Sequence, residues 1–127
     1  EQLVASPIYQ FAGTFDCLVE RDGKRVLLDY KSSKGFFTDM FLQEAGYSIA
    51  IKEWLNIEVD ELEIIRLNDN TPKPVSFSVV GKEAIKEFQD QFIRCRYTRL
   101  FQHKWETFFD KKYRAENPYL RKKKKVK

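Results

Sequence analysis

Between two strand-like runs, Phe11 to Glu20 and Arg25 to Lys31, the chain carries the dipeptide Asp22-Gly23. That pair is preferred in a two-residue type I′ turn, which needs positive φ at both central positions. The segment is therefore expected to fold back on itself as an antiparallel hairpin. With Asp22 and Gly23 forming the loop, Leu18 lies opposite Leu27 and Asp16 lies opposite Asp29. A four-residue loop from Arg21 to Lys24 gives the same register.

Directly opposed side chains have Cβ atoms roughly 4.5–5.5 Å apart, and like charges placed there are destabilising. Side chains alternate along a strand, so Lys31 projects on the same side as Asp29 and is expected opposite Thr14. Two carboxylates and an ammonium thus converge on a small area. A divalent cation turns such carboxylate repulsion into attraction, since Mg²⁺ is typically held by one or two carboxylates, waters and substrate phosphate. The same spacing also describes the solvated polar face of a surface hairpin.

Three short patterns stand in order: Gly13-Thr-Phe-Asp16, Leu28-Asp29-Tyr-Lys31-Ser-Ser33 and Gln43-Glu-Ala-Gly-Tyr47. Together they resemble the RecB-like branch of the PD-(D/E)XK nuclease superfamily, which includes phage-type exonucleases and mitochondrial genome-maintenance exonucleases. The resemblance spans roughly residues 1 to 80. Its pattern there is a Gly-x-x-Asp strand, an Asp-x-Lys-Thr/Ser strand and a Gln-x-x-x-Tyr helix.

The resemblance implies a role for each matching residue. Asp16 and Asp29 would bind Mg²⁺ or Mn²⁺, with the backbone carbonyl of Tyr30 as a further ligand. Lys31 would position the attacking water and offset charge on the phosphate. Ser32, Ser33, Gln43 and Tyr47 would contact nucleic acid. The implied activity is metal-dependent hydrolysis of DNA phosphodiester bonds, as an exonuclease of phage or bacterial DNA recombination, repair or processing. DNA is the implied partner, with other recombination or replication proteins beside it. The family usually adds a Glu or His on a helix before the first strand. Here Glu1 already stands at that strand, so residues 1–116 are expected to be a nuclease core lacking its N-terminal helical part, followed by a basic tail over 117–127.

Composition sets outer limits. A chain of 127 residues, 43% of them hydrophobic, suits one domain with a core. No apolar run is long enough for a membrane span, and no signal-peptide pattern is present. Cys17 and Cys95 lack metal-motif spacing, and Cys17, alternating away from Asp16, is expected as a buried reduced thiol. A cytoplasmic location follows. The net charge of +4 is uneven: Arg121 to Lys127 holds six basic side chains, leaving 17 basic against 19 acidic residues elsewhere. A basic pI is therefore no evidence for a basic body; the tail either adds phosphate affinity, serves as a localisation signal or is simply solvated.

After Ser32 to Gly35, a loop, residues Phe37 to Leu55 read as a helix that places Gln43 and Tyr47 on one face. Met40, Phe41, Ala45, Ile49 and Trp54 suit packing against a sheet, and Gly46 suits a close approach. Glu61 to Leu67 and Val75 to Val79 read as strands around an Asn68 to Pro72 turn. Gly81 opens a helix from Lys82 to about Tyr113, ended by Asn117-Pro118. The fold class expected is α+β, a three-layer restriction-endonuclease-like arrangement with a mixed, mostly antiparallel sheet flanked by helices. Phe36, Phe37, Phe41, Tyr97, Phe108 and Phe109 are expected mostly in the core, with base stacking as the other use of such rings.

Other chemistries find little footing. His103 is the only histidine, and neither a phosphate-cradling Gly-x-x-x-x-Gly-Lys loop nor a Gly-x-Ser-x-Gly elbow is present. The alternative function is a catalytically inactive nucleic-acid-binding or assembly module of the same fold. A third is a structural domain binding neither metal nor DNA.

Overall fold

In a computed structural model, residues 1–67 and 73–119 are described. The chain divides into two compact units, Glu1–Arg94 and Cys95–Lys127. The first holds strands β1 (Gln2–Ser6), β2 (Phe11–Phe15), β3 (Cys17–Arg21), β4 (Lys24–Lys31), β5 (Glu61–Arg66) and β6 (Val75–Val80), with helix α1 (Thr38–Leu55). Helix α2 (Lys82–Glu116) begins in this unit and continues into the second.

The expected hairpin is present in the expected register. Arg21 pairs Lys24, Leu18 pairs Leu27 and Cys17 pairs Leu28. Asp22 and Gly23 take φ of 53° and 76°, the two positive values that a type I′ turn requires. Beyond Cys17 the expectation fails. The chain bends at Asp16, and β2 leaves β4 to pair antiparallel with β1, so Thr14 lies opposite Leu3 and not Lys31. Ser6 donates its hydroxyl to Glu53 of α1 at 2.5 Å, and the Glu53 carboxylate also accepts the Ile8 amide at 3.2 Å. Those bonds tie the β1–β2 turn to α1.

The larger sheet runs β3-β4-β5-β6. Its β3–β4 and β5–β6 pairs are antiparallel, whereas β4–β5 is parallel. Parallel neighbours need a long crossover, and α1 supplies it. This is an α+β unit with a mixed, mostly antiparallel sheet flanked by helices. β4 is an inner strand, and its central run Val26, Leu27 and Leu28 is buried on both faces of the sheet. α1 ends at Asn56, whose left-handed φ of 54° lets its amide reach the Lys52 carbonyl at 3.0 Å.

Leu27, Leu62 and Ile64 from the sheet meet Val4, Phe15, Phe41, Ala45, Ala50, Ile51 and Ile85 in one core. At Gly46, an added Cβ would fall 2.5 Å from Cε2 of Phe92, so α2 places a ring where α1 has no side chain. Several expected core residues stay outside. Trp54, Phe37, Tyr97, Phe108 and Phe109 are exposed, and of the six rings singled out only Phe41 is fully buried. A helix of α1's length has one face on the sheet, and Trp54 falls off it. Cys17 is half-buried, Cys95 is exposed, and neither forms a disulfide. The Asn68 to Pro72 turn lies outside the described residues, as does the tail from Arg121 to Lys127. No described helix is long and apolar enough to cross a membrane.

Candidate active site

Asp29 stands near the end of β4, on the same sheet face as Leu27 and Ile64, beneath α1. An acid there is only 7% exposed. Asp16 reaches it from the bend where β2 gives way to β3, close enough for the two carboxyls to share a hydrogen bond. Burial and the neighbouring Asp16 push Asp29 up to about 6, although Lys31 pulls the other way. Asp16 is held below its ordinary value, chiefly because the Asp29 carboxyl hydrogen-bonds to it, with help from the Tyr30 amide. The two titrate as a pair that favours one shared proton.

The bend has a second consequence. Because β3 stops covering β4 after Cys17, the outer edge of β4 at Tyr30 is open, and the Tyr30 amide donates to Asp16 Oδ2 at 3.2 Å. The Lys31 carbonyl accepts from Leu67 at 2.7 Å on the β5 side. Successive carbonyls in a strand point to opposite edges, so the Tyr30 carbonyl faces the same open edge as its amide. Its ring lies outside, half exposed.

Lys31 is held between two elements. Its ammonium is 2.9 Å from Asp29 Oδ2 and donates to Gln43 Oε1 on α1 at 3.0 Å. Tyr47, one turn further along α1, lies against the β2 backbone at Gly13. Burial, followed by the charge of Asp29, raises its phenol above the ordinary value. Asp16, Asp29, Lys31, Gln43 and Tyr47 are thus brought together, with the Tyr30 carbonyl beside them. The serines turn elsewhere: the Ser33 hydroxyl donates to the Gly35 carbonyl at 2.7 Å, closing its own loop, and Ser32 is exposed.

Glu44 is the residue the sequence reading passed over. It is fully buried on α1, and neither carboxyl oxygen has a hydrogen-bond partner. Burial first, then the charges of Asp29, Glu63 and Asp16, push it up to about 10 against the pull of Lys31, so it is a neutral acid at pH 7. Its signal was available: Phe41, Glu44, Ala45 and Ser48 fall at core-facing helical spacing, and an acid at such a position demands a reason.

Among the described residues no three His, Cys, Asp or Glu side chains group to hold a metal ion. The donors on hand are two carboxylates and one carbonyl, with Asp29 Oδ2 buried and lacking a hydrogen-bond partner beyond its ion pair with Lys31. That set fits Mg²⁺, which keeps several waters and needs only one or two carboxylates. No protein-family model matches the sequence, and neither does any curated protein.

Proposed function

We propose that this chain is the core of a metal-dependent deoxyribonuclease, acting as an exonuclease in DNA recombination, repair or processing. The observation carrying the reading is the Asp16–Asp29 pair with Lys31 bound between Asp29 and Gln43. Two adjoining carboxylates, one of them buried, are costly to a fold that gains nothing from them. The mixed sheet, with its crossover helix packed over the dyad, supports a restriction-endonuclease-like three-layer arrangement.

Asp16, Asp29 and the Tyr30 carbonyl would hold Mg²⁺ or Mn²⁺, which supplies a polarised phosphoryl oxygen and a more acidic bound water. The chain's own residues do the rest. Above pH 6 the shared proton leaves the dyad and both carboxylates become donors. The Lys31 ammonium, fixed by Gln43, positions the attacking water and offsets charge developing on the phosphate. In-line attack then displaces the 3′-oxygen and leaves a 5′-phosphate on the product. Gln43 and Tyr47 line the approach of the strand.

Digestion of end-labelled single- and double-stranded DNA with Mg²⁺, Mn²⁺ or EDTA tests this. Nucleotide release that needs metal and is lost in Asp29→Asn is expected; equal release by that variant would overturn the assignment. The absence of a third acidic or histidine ligand among the described residues favours one other reading, a nucleic-acid-binding or assembly module without turnover. It predicts DNA binding with no cleavage in any metal.

A further inference from the structure

The second unit separates itself from the first by charge. Residues 95–127 carry 12 basic and 3 acidic side chains, whereas residues 1–94 carry 11 basic and 16 acidic ones. Within α2, Phe101, Trp105, Phe108 and Phe109 form a continuous cluster. Trp105 packs tilted or edge-on against Phe101, Phe108 and Phe109, with ring centroids 6.4, 5.4 and 5.8 Å away. These rings are nonetheless open to solvent, with Phe101 65% and Phe109 59% exposed.

Helical spacing sorts the charges around that cluster. Lys104 lies three after Phe101 and four before Phe108, and Lys112 lies four after Phe108, so both share the aromatic side. The Lys104 ammonium sits 5.9 Å from the Trp105 ring centroid. Asp110 falls on the opposite side, where it is paired with Arg114 at 3.0 Å, and Glu106 stands at the border, three before Phe109. Cations therefore stand at and among the rings, and the acid that faces away, Asp110, is already neutralised by Arg114.

We infer that this aromatic and lysine face of α2 is a docking surface for a single strand of nucleic acid, whose bases stack on the rings and whose phosphates meet Lys104 and Lys112. From residue 101 to 119 every large apolar side chain is aromatic; there is no Leu, Ile, Val or Met. Flat rings without aliphatic filler match a ligand that itself presents flat π faces, and sequence-tolerant single-strand binders are built from such rings and cations. A second copy of the chain would bring like-charged lysines together. A helix lying in a lipid surface keeps its lysines on the face opposite its inserted rings, whereas here Lys104 and Lys112 share the aromatic side. The surface lies wholly in the second unit and does not depend on whether the Asp16–Asp29 site cleaves.

The test is binding of the intact chain to a labelled oligothymidylate in EDTA, where no metal-dependent hydrolysis can occur. In a Trp54→Phe background Trp105 is the sole indole, so stacking is read as quenching of its fluorescence. Trp105→Ala with Phe108→Ala is expected to weaken binding about tenfold or more while the circular dichroism spectrum is retained. Lys104→Ala with Lys112→Ala is expected to lower the slope of log affinity against log salt by roughly one to two. Unchanged affinity in the aromatic variant, or no quenching of Trp105, would overturn the inference, because the basic tail alone would then explain binding. So would Trp105-dependent association with phosphatidylserine vesicles, or Trp105-dependent dimers in sedimentation, when the oligonucleotide leaves Trp105 unquenched. A chain that binds in EDTA yet never cleaves would refute the nuclease reading alone.

Discussion

Tyr47 lays its ring on Gly13 so closely that a Cβ built on the glycine would fall 2.6 Å from Cε1 of the tyrosine. Gly13 is needed there for space, not for an unusual backbone angle, since its φ is not positive. The contact fixes β2 against the helix that carries Gln43. Gly13→Ala should therefore cost about 1–3 kcal/mol by overpacking and displace Tyr47 from the dyad. In a Tyr47→Ala background the same substitution should be nearly neutral. Urea denaturation of the four proteins in a double-mutant cycle measures that coupling, and additive losses would show that the two residues do not constrain each other.

The carboxylate pair makes stability depend on pH in a defined window. Unfolded, Asp29 releases its proton at about 3.8; folded, it keeps the proton up to about 6. Its contribution is therefore complete below the lower value and is lost as pH rises through 6. Asp16 acts in the other direction, since its lowered pKa favours the fold above 3.8 and is lost below. Between pH 4 and 6 the Asp29 effect is joined by that of Glu44, which a comparison with Asp29→Asn leaves in both proteins. Asp29→Asn, which mimics the protonated state, should exceed the wild type in stability at pH 7.5 by on the order of 1 kcal/mol in EDTA, and the gap should narrow as pH falls through 6 and close only near 3.8. A variant that is less stable at pH 7.5 would contradict the buried-dyad account.

How far the structure could be read in advance depended on whether a local rule had a competitor. Asp22-Gly23 admits one tight turn, so the register of Leu18 on Leu27 followed from it, whereas Asp16 meets Asp29 from the bend, past the last pair of that ladder. Nothing local announced that β2 would abandon β4 at Asp16, because alternation continues unbroken through Phe15 and Cys17; pairing with β1 decided it. The aromatic residues misled for a related reason. Large rings favour burial, yet past Arg94 the helix enters a second compact unit, and there Phe108 and Phe109 cover each other and remain exposed. Glu44 went unseen because its neighbours Gln43 and Tyr47 matched a pattern and it did not, although its spacing from Phe41 and Ser48 put it on the buried face.

Gly46 sets two effects against each other. Alanine there gains about 1 kcal/mol of helix propensity but places a methyl carbon 2.5 Å from the Phe92 ring. Phe92 also packs edge-on against Phe11 with centroids 4.9 Å apart, so it has little room to yield. Gly46→Ala should thus destabilise the wild type and stabilise a Phe92→Ala variant. The change of sign, read from thermal midpoints of the four proteins, is the outcome that checks it; destabilisation in both backgrounds would mean that something other than the ring limits the site.

Glu44 should leave the largest mark on the pH profile. Its carboxyl is ionised above about 4.5 in the unfolded chain but stays protonated to about 10 when buried. The folded state therefore binds one more proton throughout that window, and stability falls by about 1.4 kcal/mol per pH unit from this group alone as pH rises. Glu44→Gln removes the titration and keeps the shape, so it should flatten the decline between pH 6 and 9 and raise stability most at the alkaline end. Glu44→Ala would empty a fully buried position and should lose stability at every pH through the cavity it leaves. Chemical denaturation of the wild type and both variants at pH 6, 7.5 and 9 separates the two effects. Parallel curves for the wild type and Glu44→Gln would mean that Glu44 is ionised in the folded protein and must hold a cationic partner.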